Sequence, residues 1–323
     1  MTFINGTTPW RDISTNVEKA KTAEEVITQS GLDWEVISTP IFDDRGRELK
    51  NFRANLRSTD RAVLGVTTKE YTPINNKVGF DLTNYVVREG ATYETAGSSP
   101  DGKKVWITVK LPEEIIVEEH IAPYLVFMNQ HDGKGAMKVA ITPIRIVCQN
   151  MMNLAIKKAS NKMVVTHKGD TEQKLEEAHL ILANTERYLK ALSGEFETLK
   201  LKKVTEEQVK RMTETLLQEE FRTLYANATK DSGKIVTMKE LMKKEKYEEK
   251  LARKRNDILE IYHDKPDLRG TEHTAFRFVN AVSDYIMHTD DHNNREGYQL
   301  RRFFKSIDGV SAIETARKIV LAA

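Results

Sequence analysis

"AMKVAITPIRIVCQNMMNLAIKKASNK", Ala136–Lys162, changes its periodicity partway along. Over Ala136–Ile141, Met137, Val139 and Ile141 alternate with Lys138 and Ala140, the period of two of a half-buried strand. Thr142-Pro143 follows, and threonine is a favoured helix N-cap while proline is favoured at the first helical position. Beyond that pair Ile144, Val147, Cys148, Met151 and Ala155 fall on one apolar stripe at helical spacing. The segment therefore predicts a strand that turns directly into a helix over Pro143–Lys158.

The same segment lies in a window, Gly133–Gly169, that holds seven Lys/Arg and no Asp or Glu. Elsewhere the signs are mixed: 50 basic and 48 acidic residues give the 323-residue chain a net charge of only +2. Splitting at Gly169 leaves 22 basic and 20 acidic residues before the cut, and 28 of each after it. Any anion-binding surface must then be local. On the predicted helix Arg145, Gln149 and Lys157 fall outside the apolar stripe, with Lys158 and Lys162 continuing the positive field and Lys138 preceding it. Guanidinium groups grip phosphate bidentately, lysines add point charges, and amides bond to sugars or bases. The competing reading is an ordinary packed helix with a solvated basic face. Arg53 and Arg57, in "NFRANLRSTDR", share one face if that stretch is a strand, and are weaker candidates for the same surface. Cys148, on the apolar stripe, reads as a core residue.

Working outward, the first half reads as mixed α and β. Strands are predicted at Val36–Phe42, Asn51–Ser58, Ala62–Thr68, Thr92–Gly97, Val105–Leu111, Pro123–Asn129 and Ala136–Ile141, with helices near Thr22–Ser30 and at Lys77–Arg88. "SSPDGKKVW" and "QHDGKG" are hairpin turns whose glycines tolerate positive φ. From Thr171 the pattern becomes helical, with segments at about Thr205–Ala228, Thr237–His263, Thr271–His288, Arg295–Ile307 and Ala312–Ala322. The fold class is α+β: an antiparallel β-hairpin sheet packed with helices, then a mostly α-helical C-terminal region. The layout is an N-terminal arm (1–31), an α+β core (32–169) and a helical region (170–323).

Several functions lack support in the residues. No apolar run approaches the roughly 18 residues of a membrane span, and the N-terminus has no basic-then-apolar layout of a signal peptide. One cysteine fits a reducing cytoplasm. Phosphate-loop, dinucleotide and serine-hydrolase motifs are missing. His131-Asp132 reads as turn chemistry rather than a metal centre, because no neighbouring segment supplies further ligands. "HTDDHNN" (His288–Asn294) reads as a polar loop, and Glu113-Glu114 and Glu118-Glu119 as charges guarding a strand edge. "MKKEKYEEKLARKRND" (Met242–Asp257) reads mainly as a self-paired helix surface.

"VLGVTTKEYTPINN" (Val63–Asn76), "YETAGSSPDGKKVWITVKL" (Tyr93–Leu111), "NQHDG" (Asn129–Gly133), "TPIRIVCQNMMNLA" (Thr142–Ala155) and "GTEHTAFRFVNAVSDYIMH" (Gly270–His288) together resemble the phage/plasmid-like proteins that share a widespread domain of unknown function. The resemblance runs from about Trp34 to the C-terminus, and His273 and Phe276 depart from its pattern. A more distant, fold-level resemblance is to phage single-strand annealing proteins, built from a helix, a hairpin sheet and a long helix. What this implies is a non-enzymatic protein of the bacterial cytoplasm that binds single-stranded DNA and promotes annealing in recombination as a homo-oligomer, without cofactor, metal or membrane. Tyr93 and Trp106 are candidates for stacking on bases. The alternatives are an accessory protein that binds a host protein to blunt defence, and a metal-dependent nuclease using His131 and Asp132.

Overall fold

A computed structural model describes residues 13–88, 90–112, 114–116, 119–145, 150–151, 162–169, 185–228, 238–265, 268, 270–286 and 311–323. These fall into two compact units. The first holds two antiparallel sheets and their helices, and the second is helical. The α+β class read from the periodicities is the one observed. No helix among the described residues is long and apolar enough to cross a membrane.

The larger sheet of the first unit contains β5 (Thr92–Ser98), β6 (Lys104–Lys110), β8 (Glu119–Gln130) and β9 (Met137–Arg145), each antiparallel to its neighbour. β1 (Thr15–Asn16) joins β5, β7 (Glu114–Ile116) joins β8, and β11 (Lys162–Val165) joins β9. Strand alternation sorts the side chains. Ile107, Phe127 and Val139 form one buried rung and Val109, Leu125 and Ile141 the next. α2 (Asn76–Arg88) covers this face, with Phe80 edge-on to Phe127 at 5.4 Å between ring centres. α1 (Ala23–Ser30) begins at Thr22, whose hydroxyl accepts the Glu25 N–H at 3.2 Å, and ends at Gly31 in the left-handed region. The opposite face is buried too and mixes the apolar Trp106, Val126 and Met128 with polar side chains. There Thr95 and Thr108 hydroxyls meet at 2.8 Å, and Tyr124 donates to the Glu94 carboxylate at 3.3 Å.

The strand-to-helix switch expected at Thr142-Pro143 does not occur. β9 runs through both residues to Arg145, pairing Thr142 with Tyr124, Pro143 with Pro123 and Arg145 with Ile121. Asn150–Met151 (β10) is extended as well. The rest of the expected helix, with Cys148, lies outside the described residues. The physical reason is that a cap signal is worth about 1 kcal/mol, while a partner strand offers a whole ladder. Proline survives there because Pro123 turns its backbone toward β6, its carbonyl accepting the Leu111 N–H at 2.9 Å. The residue opposite, Pro143, therefore occupies a non-hydrogen-bonded position relative to β8, where a missing donor costs nothing.

The smaller sheet has the order β2 (Val36–Phe42), β3 (Glu48–Arg57), β4 (Val63–Thr68), with irregularities at Pro40/Phe42 and Asn55/Leu56. Register pairs Asn55 with Gly65 and Arg53 with Thr67 on one face, and Phe52 with Thr68 and Ala54 with Val66 on the other. The first of these faces meets the end of the larger sheet.

In the second unit α4 (Glu206–Ala228), α5 (Met238–Asp264), α7 (Ser311–Ala322) and the C-terminal part of α3 (Thr185–Leu201) surround α6 (Ala275–Asp284), all ten of whose residues are buried. Thr274 caps α6 through the Arg277 N–H at 3.2 Å, so this helix starts at Ala275, later than the Thr271 that the sequence suggests. The buried Arg277 guanidinium donates to the carbonyls of Tyr262, of Leu268 at 2.5 Å and of His263 at 2.9 Å, closing the C-terminal end of α5. Asp284 at the far end pairs with Lys265. Phe276, one of the two departures from the family pattern, is fully buried edge-on to Phe196 at 5.2 Å. His273, the other, is exposed at a positive φ of 57°. The helices predicted before 185 and at 295–307, and the "HTDDHNN" loop, lie outside the described residues.

Candidate nucleic-acid interface

Two hairpin turns lie side by side at one end of the larger sheet. The β5–β6 turn closes with Gly102 at φ +69° and its N–H donating to Ser99 at 2.7 Å. The β8–β9 turn uses Gly133 at φ +77°, and the Asp132 carboxylate accepts the Lys134 N–H at 2.9 Å and the Gln130 amide at 2.8 Å. The His131 N–H donates to Lys103 at 2.8 Å and ties the two turns together. The inner face of the smaller sheet closes over them: Asn55 donates its amide to the His131 carbonyl at 2.9 Å. Gly65 is required at this contact, since a Cβ there would come within 2.5 Å of the Asp132 carbonyl oxygen.

His131, read from sequence as a turn residue, is fully buried. Its Nε2 meets the Asn76 Oδ1 at 3.0 Å, and its ring lies edge-on to Trp34 at 5.3 Å between centres. Asn76 directs its own amide N–H to the Leu32 carbonyl at 3.0 Å, so Oδ1 is the acceptor and the imidazole carries its proton on Nε2. Burial, with a lesser contribution from nearby His167, pushes the His131 pKa down to about 3. His167, stacked on Tyr71 at 4.6 Å, is also shifted down by burial. Both rings are neutral at ordinary pH and add no positive charge to this end. No sequence pattern separated His131 from an exposed turn histidine; the hint lay in its invisible neighbours Trp34 and Asn76, far away in the chain.

The charge at this end comes from lysine and arginine. Lys69, Lys134 and Lys168 are exposed and Arg53 is half-buried. Among the described residues Arg53, Lys69 and Lys134 form no ion pair, whereas the nearby carboxylates are satisfied locally. Asp132 is held by its own turn, Asp101 by Ser99 and Lys103, and Asp60 by Arg57. Glu70 is kept below its ordinary pKa first by its own N–H and then by the Thr68 hydroxyl, with smaller contributions from Lys69 and Lys168.

The residues expected to bind phosphate are placed unevenly. Lys138 and Lys162 come together: Lys162 pairs with Ala140 and Val164 with Lys138, so both lysines point to the same face of the larger sheet, one rung apart. Arg53 joins the turn end through its partner Thr67. Arg57 does not serve as a free cation. It grips Asp60 through two bonds of 2.9 and 2.7 Å and lies 5.8 Å from the centre of the Trp34 ring. Asp60 raises the Arg57 pKa, and Arg57 holds the Asp60 carboxyl down at about 2. Arg145 ends β9 rather than opening a helix. Gln149, Lys157 and Lys158 lie outside the described residues. Tyr93 and Trp106 are core residues, 1% and 0% exposed, with the Tyr93 hydroxyl donating to Asn84 and the Trp106 indole to Ser14. Neither is placed to stack on a base. Of the charged helix at Met242–Asp257, Arg255 reaches Glu214 of α4 at 3.8 Å.

Residues 63–313 match a family model described as a domain of unknown function (DUF932), and the chain belongs to that family. No curated protein and no solved structure matches it.

Proposed function

We propose that the protein binds single-stranded DNA across the turn end of its larger sheet and promotes annealing of complementary strands as a homo-oligomer. In this reading it acts in the bacterial cytoplasm, in the phage or plasmid setting that the sequence resemblance implies, and makes or breaks no covalent bond. The observation that supports it is the asymmetry of charge at the turns: carboxylates closed by local hydrogen bonds beside exposed Lys69, Lys134 and Lys168 and half-buried Arg53. A polyanion gains from such a surface because cations stand in excess of free anions. Lys138 and Lys162, side by side on the adjoining sheet face, extend the contact.

The test is binding of a labelled oligonucleotide over a salt series, paired with annealing of complementary strands. Phosphate contacts predict a log–log slope of about −0.7 per cation engaged. Lys69→Gln with Lys134→Gln should flatten that slope by roughly 1.4. No binding at low salt, or a salt-independent affinity, overturns the reading.

A further inference from the structure

Phe42 and Phe52 are 59% and 46% exposed, and they are the exposed aromatic side chains among the described residues. Both belong to the smaller sheet, outside the part of the chain matched by the family model. Alternation on β3 sends Phe52, Ala54 and Leu56 to the face turned away from the hairpin turns, opposite Thr68, Val66 and Val63 of β4. Those six side chains carry no charge, and Val63 and Val66 are themselves 60% and 55% exposed. Five of the described large apolar side chains open to solvent cluster on this one small sheet: Phe42, Leu49, Phe52, Val63 and Val66. A water-facing sheet surface of this kind calls for a ligand with flat apolar faces.

The border of the face selects among such ligands. Lys69 donates its N–H to the Asn51 carbonyl at 3.1 Å, so exposed Lys69 and Lys50 both flank Asn51, the residue before Phe52. Arg45, exposed in the β2–β3 turn, lies beyond Phe42. Of the carboxylates in that turn, Asp43 is occupied by Arg47 at 2.8 Å, which leaves Asp44 and Glu48. Aromatic rings on an open sheet beside lysines suit unpaired nucleobases on a phosphate chain: the ring takes the base and the ammonium takes the backbone. Lys69 also belongs to the turn-end cluster, so one strand can touch both surfaces.

We infer that the outer face of the β3–β4 pair is a base-stacking platform for single-stranded nucleic acid, with Phe52 as its ring; this rests on the DNA-binding reading above. Phe52→Ala in the full chain should weaken binding of an oligonucleotide roughly five- to hundred-fold while leaving the salt slope unchanged. An abasic oligonucleotide of equal length should bind wild type and Phe52→Ala alike, and Phe52→Trp should keep affinity and show indole quenching on binding. Thermal melts check that each variant is folded. If wild type binds the oligonucleotide and Phe52→Ala matches it, the stacking inference is overturned and the turn-end reading stands. If Phe52→Ala instead changes the sedimenting mass with affinity unaltered, the face is a contact between copies and the inference is likewise overturned. If wild type binds nothing at low salt, both fall together.

Discussion

The imidazole of His131 donates from Nε2 to the side-chain oxygen of Asn76 at 3.0 Å, joining the β8–β9 turn to the first residue of α2. Charging the ring would add a proton at Nδ1, which is buried without a hydrogen-bond partner, and burial keeps the ring neutral, its pKa pushed down to about 3 from an ordinary 6.5. A base whose folded pKa is lowered binds fewer protons folded than unfolded. Its contribution to stability is therefore complete above pH 6.5 and is lost as the pH falls from 6.5 toward 3. Urea unfolding should show stability falling by up to about 1.4 kcal/mol per pH unit from this group alone below pH 6. His131→Gln should flatten the profile over that interval; an unchanged profile would refute the assignment.

Arg57 separates structure from binding. Its guanidinium is committed to Asp60 and to the Trp34 ring. Arg57→Gln should leave the salt slope of oligonucleotide binding unchanged, whereas Lys134→Gln should reduce it by about 0.7. Titrations of the two variants in parallel decide this.

Gly65→Ala tests the seam between the two sheets. The added methyl would meet the Asp132 backbone carbonyl at 2.5 Å, and that backbone is tied to Lys134 and Gln130 through its own carboxylate. A loss of about 1–3 kcal/mol is expected from such overpacking, measurable as a lower urea midpoint with an unchanged m-value.

Arg277→Met should be among the most damaging single changes in the helical unit. The guanidinium is 4% exposed and serves three carbonyls, of Tyr262, His263 and Leu268. Removing it leaves those acceptors without their donor, at a cost on the order of 3–5 kcal/mol. Thermal unfolding reads the effect directly.

Much of the architecture could be read from local pattern. The alternation of Val36–Phe42 marks that strand to the residue, and the Asp101-Gly102 and Asp132-Gly133 turns have positive φ at the glycines that the sequence offers for it. These features are set by neighbours in sequence. Thr142-Pro143 misleads because its cap chemistry is local, while the strand it extends is stabilised by β8, some twenty residues earlier. Arg53 and Arg57 look equivalent in sequence. Only the turn at Asp60 distinguishes a cation already engaged from one half-buried beside the hairpins. Tyr93 and Trp106 suggest base stacking by their chemistry, yet they lie on opposite faces of the larger sheet and both faces are covered, so the rings left outside are the less conspicuous Phe42 and Phe52.

The facing prolines of β8 and β9 also restrict how the chain can misassemble. Sliding one strand past the other by a single residue would rotate Pro143 so that its ring nitrogen confronted β8, where the ladder demands a proton it does not possess. Odd-numbered slips are thus penalised twice, by the exchange of apolar and polar faces and by the imino acid itself. Pro143 acts as a stop against mispairing while the long hairpin zips.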